Sequence, residues 1–356
     1  MKPKRLFALL LTAVMLLLAS CAAQTTGETP KSTETPEQTT GEVQESAAPS
    51  AETPAETTAP AFEGENVRLA LLSGSTGLGS SKLIVDASAK KTVNTYVIDV
   101  IADPTQVVAG VKTGKYDLAA LPVNVAAKLY NMPDVDVRLV ALNTLGVLYM
   151  LENEGETVQS FSDLAGKIVY TTGEGATPQY ILEYLLAKNN VEDVTVVYRA
   201  TADEVQADLQ TAGAIAMLPQ PKATVVTMSM STVRYALDMT EEWNKVSSVE
   251  LTQGCVIATK AFAEEHKDAL DAFLAEYEAS IEFVNKADDD AAEAVVNAGI
   301  IGKAPIAKNA IPKSNLVCYT GEKMKETMTG TLSVLFASDP KSIGGNMPGD
   351  DFYYAK

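Results

Sequence analysis

The sequence predicts an α/β fold of two lobes, each a mixed, mostly parallel sheet flanked by helices, joined by a two-stranded hinge. Short apolar strand patterns alternate with amphipathic helical ones after residue 62, which is typical of such sheets. This part of the 356-residue chain is large for a single hydrophobic core. The same order of elements also occurs twice, and Ser75 precedes Thr172 by the same number of residues as Pro122 precedes Pro219.

The N-terminus predicts export and lipidation. Basic side chains at positions 2, 4 and 5 precede an apolar stretch, Leu6–Ala19, which is shorter than the about 20 residues that a spanning helix needs. This pattern is typical of a secretory signal over residues 1–20. Leu18–Cys21 resembles a bacterial lipobox, which implies that Cys21 is diacylated. The alternatives are an ordinary signal peptide with an incidental Cys, or a weak membrane anchor.

Residues 21–62 predict a disordered tether behind the lipidated Cys21. The segment consists almost entirely of Thr, Glu, Pro, Ala, Ser and Gln and lacks an apolar period. It therefore has too little hydrophobic surface to offset the entropy cost of ordering. We expect it to hold the folded part away from a membrane, on the extracytoplasmic face.

The net charge of the chain narrows the classes of partner. The chain carries 28 basic and 46 acidic residues, a net charge of −18. This sign argues against nucleic acid as a partner and against electrostatic docking on anionic lipid.

Besides Cys21, the sequence holds Cys255 and Cys318. One disulfide and two free, packed thiols both remain open at this point.

The first unit alternates strands and helices from residue 67 to residue 122. Asp103 caps its second helix, with Pro104 at the first helical position and Gly114 at the end. The predicted order is strand Val67–Leu72, glycine-rich turn Ser73–Ser81, helix Lys82–Ser88, strand Thr95–Ile101, the helix from Pro104 to Gly114, and strand Tyr116–Leu121, stopped by Pro122.

The second unit repeats this order. Thr201 and Glu204 form a capping box for its second helix. The predicted order is strand Lys167–Thr171, turn Thr172–Pro178, a helix with Ile181, Leu182, Leu185 and Leu186 on its apolar face, strand Val194–Tyr198, the capped helix, and strand Ala214–Leu218, stopped by Pro219.

The chain then returns to the first lobe. The pattern predicts a strand over Val249–Thr259, one long helix over Ala261–Lys286, a helix from Asp288, and a last helix over Gly321–Phe336. Crossings near Leu148–Asn153 and Lys245–Thr252 would form the hinge. The predicted first lobe is 66–150 with 250–356, and the second is 151–249.

The candidate ligand site lies between the lobes. In open α/β sheets a ligand binds beyond the carboxyl ends of the strands. Both glycine-rich turns place backbone N–H groups at a helix N-terminus, which suits an anionic or polar group. The alternative for each turn is plain helix capping. The candidate ligand-binding residues are Ser73, Gly74, Ser75, Thr76, Gly77, Ser80, Pro122, Asn124, Gly146, Thr172, Gly173, Gly175, Ala176, Thr177, Pro219 and Gln220.

The same segments carry a family resemblance. The loop Ser73–Lys82 resembles the GPTG-type ligand loop of solute-binding proteins of ABC importers, of the nitrate/sulfonate/taurine and thiamine-precursor types. Leu218–Thr224 is similar to their LPEPFAT segment. The further segments 115–123, 143–149, 173–178 and 342–354 also resemble the family, so the likeness runs from residue 67 to residue 354. It implies the type II periplasmic-binding-protein fold, a solute held by hinge closure, and ABC permease subunits as partners.

Two positions depart from the family pattern. Gln220 stands where the family usually has Glu, and Lys222 stands where it often has an aromatic residue. A lost carboxylate and a gained cation favour a more anionic solute, unless Lys222 simply faces solvent.

Catalysis is the weaker interpretation. Some pyrimidine-forming enzymes with this fold use a His, but His266 lies in a charged stretch typical of an exposed helix face. The glycines of the first turn do not complete a dinucleotide fingerprint, because position 82 is Lys. We therefore expect no catalytic residue, no cofactor and no metal, and a monomer. A sensory or adhesive surface lipoprotein is the alternative function.

Overall fold

The computed structural model describes residues 62–355, which lie within a compact unit formed by Pro60–Lys356. The predicted signal peptide, the lipidated Cys21 and the tether up to residue 61 lie outside the described residues. In the described part, no helix combines the length and the apolar character needed to cross a bilayer.

The strands form two separate sheets. In chain order they are β1 (Asn66–Leu72), β2 (Thr95–Ile101), β3 (Leu118–Pro122), β4 (Val137–Leu145), β5 (Leu148–Asn153), β6 (Ile168–Thr171), β7 (Thr195–Tyr198), β8 (Ile215–Pro219), β9 (Val233–Asp238), β10 (Thr252–Thr259) and β11 (Leu316–Tyr319). The six-stranded sheet has the order β11-β4-β10-β3-β1-β2, and the five-stranded sheet has the order β7-β6-β8-β5-β9. We call the halves built on them the first lobe and the second lobe.

The helices flank these sheets. They are α1 (Ser75–Leu78), α2 (Ser81–Ser88), α3 (Pro104–Lys112), α4 (Val123–Tyr130), α5 (Thr177–Lys188), α6 (Ala202–Asp208), α7 (Lys222–Ser229), α8 (Met239–Val246), α9 (Lys260–Glu265), α10 (Lys267–Asn285), α11 (Asp289–Asn297), α12 (Ala304–Ala310) and α13 (Gly321–Ser338). Short 3-10 turns occupy Phe161–Leu164, Ile311–Lys313, Pro340–Ile343 and Asp350–Phe352.

The two sheets share one strand pattern, as the repeated order predicts. In the first lobe β1 lies between β2 and β3 and is parallel to both, and in the second lobe β6 has the same relation to β7 and β8. An antiparallel strand follows in each sheet, β10 beside β3 and β5 beside β8. The prediction of two mixed sheets flanked by helices is therefore confirmed, with four pairs of neighbouring strands parallel and five antiparallel.

The chain passes between the sheets twice. It leaves the first sheet at Leu145 and enters the second at Leu148, then leaves the second at Asp238 and re-enters the first at Thr252. The predicted limits at residues 150 and 250 fall within a few residues of these crossings, and the exact extent of each lobe stays a prediction.

Each sheet carries a hydrophobic core on both faces. In the first lobe, Phe273 and Tyr277 of α10 cover one face, and Met328 of α13 helps to cover the other. In the second lobe, Trp243 of α8 and Leu182 of α5 belong to the core on one face, whereas α6 and α7 cover the other. Burial on both faces explains the nearly continuous apolar runs of the central strands.

One predicted helix is wrong. Ala261–Lys286 is not a single helix, because the chain breaks at His266, whose φ of −123° and ψ of 47° are not helical. The imidazole stacks on Phe262, and its Nδ1 lies 2.5 Å from Glu65 Oε2 in the segment before β1. His266 therefore ends α9 and begins α10.

The two cysteines of the folded part are both free. Cys255 is fully buried on β10, and burial raises the pKa of its thiol far above the usual range. Cys318 lies on β11, where burial raises its pKa to about 12. Both thiols are therefore protonated and unreactive at neutral pH.

Candidate functional site

A cavity of about 410 Å³ lies where the two lobes meet. The first lobe contributes the ends of β1 and β3, and the second lobe contributes the end of β8 and the start of α5. The lining residues are Ser73, Gly74, Ser75, Thr76, Pro104, Pro122, Asn124, Val125, Val147, Ala176, Thr177, Pro178, Pro219, Gln220, Pro221, Lys222 and Gln253. The cavity therefore lies beyond the carboxyl ends of strands from both sheets.

Several helices begin at this cavity. α4, α5 and α7 each have their first residues in its wall, and no side chain caps the N-terminus of any of the three. An uncapped helix start exposes backbone N–H donors and a partial positive charge. Because these helices come from both lobes, their N-termini together favour an electron-rich group placed between them.

The loop after β1 is held rigidly in the wall. The N–H of Ser73 donates to the Ile101 carbonyl at 2.9 Å, which continues the pairing of β1 with β2. Asn143 donates its Nδ2 to the Thr76 carbonyl at 2.9 Å, and Thr144 donates to the Ser75 carbonyl at 3.4 Å. Gly74 has a φ of +115°, which lets the chain turn before α1. These contacts occupy the Ser75 and Thr76 carbonyls, whereas the N–H groups of the same two residues lie in the first turn of α1.

Two hydrogen bonds cross the cavity from lobe to lobe. The Ser75 hydroxyl donates to the Gln220 carbonyl at 2.7 Å, and the Thr177 hydroxyl donates to Asn124 Oδ1 at 2.9 Å. All four residues are buried. The structure therefore has the two lobes in direct contact around the cavity.

Both the oxygen and the nitrogen of the Gln220 carboxamide are hydrogen-bonded. Its Oε1 accepts from the Thr224 hydroxyl at 2.8 Å, and its Nε2 donates to the Tyr235 hydroxyl at 3.2 Å. Both partners belong to the second lobe. The carboxamide therefore braces the loop that follows β8, and only the Gln220 backbone carbonyl reaches across the cavity.

Lys222 is likewise bound within its own lobe. Its ammonium group pairs with Asp203 and donates to Gln206 Oε1 at 2.7 Å. The ammonium holds the pKa of Asp203 below its usual range. The Lys222 side chain is 19% exposed, so it neither faces open solvent nor presents an unpaired charge to the cavity.

Gln253 is a lining residue that the sequence analysis missed. It lies on β10, a strand interior with no turn or glycine signal, so nothing in its local pattern marks it. Its Oε1 accepts from the Val147 N–H at 2.6 Å, and the Val147 carbonyl accepts from the Gln220 N–H at 2.9 Å. Gln253 thus contacts the cavity and the first chain crossing together.

The structure brings part of the predicted set to the cavity. Ten candidates line it: Ser73, Gly74, Ser75, Thr76, Pro122, Asn124, Ala176, Thr177, Pro219 and Gln220. Six do not line it: Gly77, Ser80, Gly146, Thr172, Gly173 and Gly175. Besides Gln253, the lining residues that were not predicted are Pro104, Val125, Val147, Pro178, Pro221 and Lys222. The ligand-binding role of every candidate stays a prediction.

Two of the four glycines among these six residues are needed for close packing. A Cβ at Gly77 would lie 2.1 Å from the Leu72 carbonyl oxygen. A Cβ at Gly146 would lie 2.1 Å from Thr240 Oγ1 and 3.1 Å from Leu251 Cδ2. Gly146 sits at the first crossing and Leu251 at the second, so this glycine allows the two crossings and α8 to pack together.

The single histidine of the described residues does not lie at the cavity. His266 pairs with Glu65 and is not among the lining residues. Within residues 62–355, no cluster of three or more His, Cys, Asp or Glu side chains is arranged to hold a metal ion.

Solved structures of other proteins share this fold, although no curated protein matches the sequence. Among solved structures, an ABC transporter protein from Parabacteroides distasonis superposes with a TM-score of 0.68 at 19% identity, covering 82% of this chain and 99% of its own. The periplasmic aliphatic sulphonate binding protein SsuA from Escherichia coli gives a TM-score of 0.65 at 14% identity, covering 82% and 92%.

A third similar structure is the zinc-bound ligand-binding component of an ABC-type import system from Staphylococcus aureus. It gives a TM-score of 0.63 at 11% identity, covering 82% of this chain and 96% of its own. The shared fold is the two-lobed type II periplasmic-binding-protein fold. The family model described as NMT1/THI5 like matches residues 97–291, just over half of the chain. The chain therefore belongs to the NMT1/THI5-like family.

Proposed function

We propose that this chain is the solute-binding component of an ABC importer, anchored by lipid at Cys21 on the extracytoplasmic face of the cell membrane. The observation that carries the proposal is the cavity between the lobes, lined from both and crossed by Ser75–Gln220 and Asn124–Thr177 hydrogen bonds. A solute that contacts both lobes stabilises the closed state in proportion to its extra affinity for that state. Permease subunits would then recognise the closed form.

The solute is small and is polar or anionic. A cavity of about 410 Å³ lies within the range of small-molecule sites. The uncapped starts of α4, α5 and α7 support an electron-rich group. Sulphonate binding by the structurally similar protein SsuA from Escherichia coli agrees with that chemistry.

A thermal-shift screen tests the proposal. The chain from residue 21 onward, with Cys21→Ser so that no lipid is attached, is mixed with sulfonates, nitrate, carboxylates, pyrimidine precursors and amino acids. A bound solute at 100 times its Kd stabilises the folded state by about 2.7 kcal/mol. We expect one chemical class to raise the Tm.

A cavity-filling variant supplies the control. Ala176 lies in the cavity wall at the start of α5, so Ala176→Trp should abolish the shift without lowering the Tm of the free protein by a comparable amount. A shift that persists in this variant would place the site elsewhere. A flat response of the parent protein across all classes would contradict binding of these solutes and favour the adhesive function.

A further inference from the structure

Two carboxamides in the cavity wall have their oxygen atoms already occupied. Asn124 Oδ1 accepts from the Thr177 hydroxyl at 2.9 Å, and Gln253 Oε1 accepts from the Val147 N–H at 2.6 Å. The oxygen and the NH₂ are the two ends of one planar group, so fixing the oxygen also fixes the NH₂. What these two side chains offer to a solute is therefore hydrogen-bond donors.

The neighbouring acceptors are already in use. The Ser75 and Thr76 carbonyls accept from Thr144 and Asn143, and the Gln220 carbonyl accepts from Ser75. The hydroxyl hydrogens of Ser75 and Thr177 are donated to acceptors of the opposite lobe. The hydroxyl oxygens of Ser73, Ser75, Thr76 and Thr177 remain as side-chain acceptors in the wall, and all of them are neutral.

No anionic group faces the cavity. Among the described residues that line it, none is Asp or Glu, and the single charged residue, Lys222, is paired with Asp203. A ligand ammonium group would lose its water here without gaining an anionic partner, and burying an unpaired charge is strongly unfavourable. The wall therefore disfavours cationic and zwitterionic solutes.

The rest of the wall is apolar. Its residues include Val125, Val147 and Ala176, together with Pro104, Pro122, Pro178, Pro219 and Pro221. None of these side chains carries a polar atom, so this surface suits a hydrocarbon body. The polar donors and the apolar wall thus address two different parts of one solute.

We propose that the cavity selects a solute with an acceptor-rich oxyanion head, an aliphatic body and no amino group, with Asn124 and Gln253 as the specificity-determining donors. This inference rests on the proposed solute-binding function. Discrimination between solutes then depends on how the Asn124 and Gln253 amides are oriented. Gln220 and Lys222, which depart from the family pattern, are not the determinants, because their side chains are bound within the second lobe.

Matched pairs of solutes test the selectivity. Isothermal titration compares propane-1-sulfonate with 3-aminopropane-1-sulfonate, and butyrate with 4-aminobutyrate, so that the members of a pair differ only by an amino group. In at least one pair we expect the amine-free member to bind at least about tenfold more tightly. Equal or tighter binding of the amine-bearing members would overturn the inference while leaving solute binding intact. If no member of either pair binds, the inference is wrong, and the broader screen decides on solute binding itself.

Gln253→Glu tests the residue assignment with the better-bound amine-free solute. Glu keeps the size and the oxygen that accepts from Val147 but replaces the donor NH₂ with a negative oxygen. We expect affinity for the amine-free member to fall about tenfold or more and the preference over its amine-bearing partner to shrink. Gln210→Glu, the same change at an exposed position of the second lobe, should leave both unchanged. Unaltered affinity and preference in a folded Gln253→Glu protein would exclude Gln253 as the determinant.

Discussion

Thr177 shows what a single hydroxyl contributes at the cavity. It is buried at the first position of α5, and its one hydrogen bond crosses to Asn124 in the other lobe. Its contribution therefore depends on the lobes being closed. A substitution here should act on closure and binding far more than on the folding of either lobe.

Thr177→Val keeps the shape of the side chain and removes this bond. A net hydrogen bond is worth about 1 kcal/mol, so we expect solute affinity to fall about fivefold and the Tm of the free protein to change little. Titration with the best solute from the screen measures the first effect, and calorimetry measures the second. Thr113→Val, whose hydroxyl bonds only to the Ala109 and Gly110 carbonyls of α3, should leave affinity unaltered. A large loss of Tm in Thr177→Val would instead make the hydroxyl a structural cap.

At the scale of the element, β5 ends in a buried carboxylate. Glu152 is fully buried and accepts from the Thr157 N–H at 2.9 Å, the Val158 N–H at 3.3 Å and Arg234 Nη2 at 2.5 Å. Burial raises its pKa, but the bonds from Thr157, Val158 and Arg234 outweigh it and hold the pKa below its usual range. The ionised carboxylate therefore fastens β5 to β9 and to the loop after β5.

Glu152→Gln should destabilise the second lobe. It leaves Arg234 facing a neutral amide, and breaking a buried ion pair costs about 3 kcal/mol. Urea unfolding measures the loss. Asp289→Asn, which removes a carboxylate of an exposed pair with Lys308, should cost less than about 1 kcal/mol. Equal losses in the two variants would contradict this account of Glu152.

The same carboxylate sets an acid dependence. Because its folded pKa is depressed, its contribution is complete above the unfolded pKa of about 4.3 and is lost as the pH falls through the folded pKa. The free energy of unfolding of the parent protein should therefore fall more steeply below about pH 4.3 than that of Glu152→Gln. Parallel curves for the two proteins would show that Glu152 does not titrate on unfolding.

Local signals decided which elements the sequence could predict. The caps at Asp103 and Thr201 gave the starts of α3 and α6, and both are present in the structure. α4 and α7 were not predicted, because each starts behind a proline with no polar cap. The break at His266 was missed because the apolar period runs on across it. The turn residues of the cavity carried glycine and proline signals, whereas Gln253 became visible only once β10 was placed in the sheet.

At the scale of the whole molecule, Gly146 makes the closed arrangement possible. It lies at the first crossing against Thr240 and Leu251, with no space for a Cβ. Gly146→Ala should therefore favour a more open arrangement and weaken solute binding about tenfold, a cost in the range of about 1–3 kcal/mol for overpacking. Small-angle scattering should show a larger radius of gyration in the presence of solute.

A second change tests the cause of that effect. Thr240→Ala removes the Oγ1 that a Cβ at Gly146 would meet at 2.1 Å and leaves the Thr240 Cβ, which would lie 3.1 Å away. The double variant should regain most of the affinity and the compact scattering profile. A double variant as weak as Gly146→Ala would show that the contact with Leu251 Cδ2, 3.1 Å from such a Cβ, rather than the contact with Thr240 Oγ1, limits the packing at this position.

The position of β10 between β3 and β4 has a consequence for the order in which the molecule can assemble during synthesis. The strands of the second lobe are complete once residue 238 has emerged, whereas the first sheet lacks its antiparallel centre until residue 259 follows. Until then β3 and β4 each present an unpaired edge, and such edges invite pairing with other chains. The first lobe begins first along the chain and is thus completed after the second lobe. We therefore expect the nascent chain to need protection of β1–β4 while the second lobe folds.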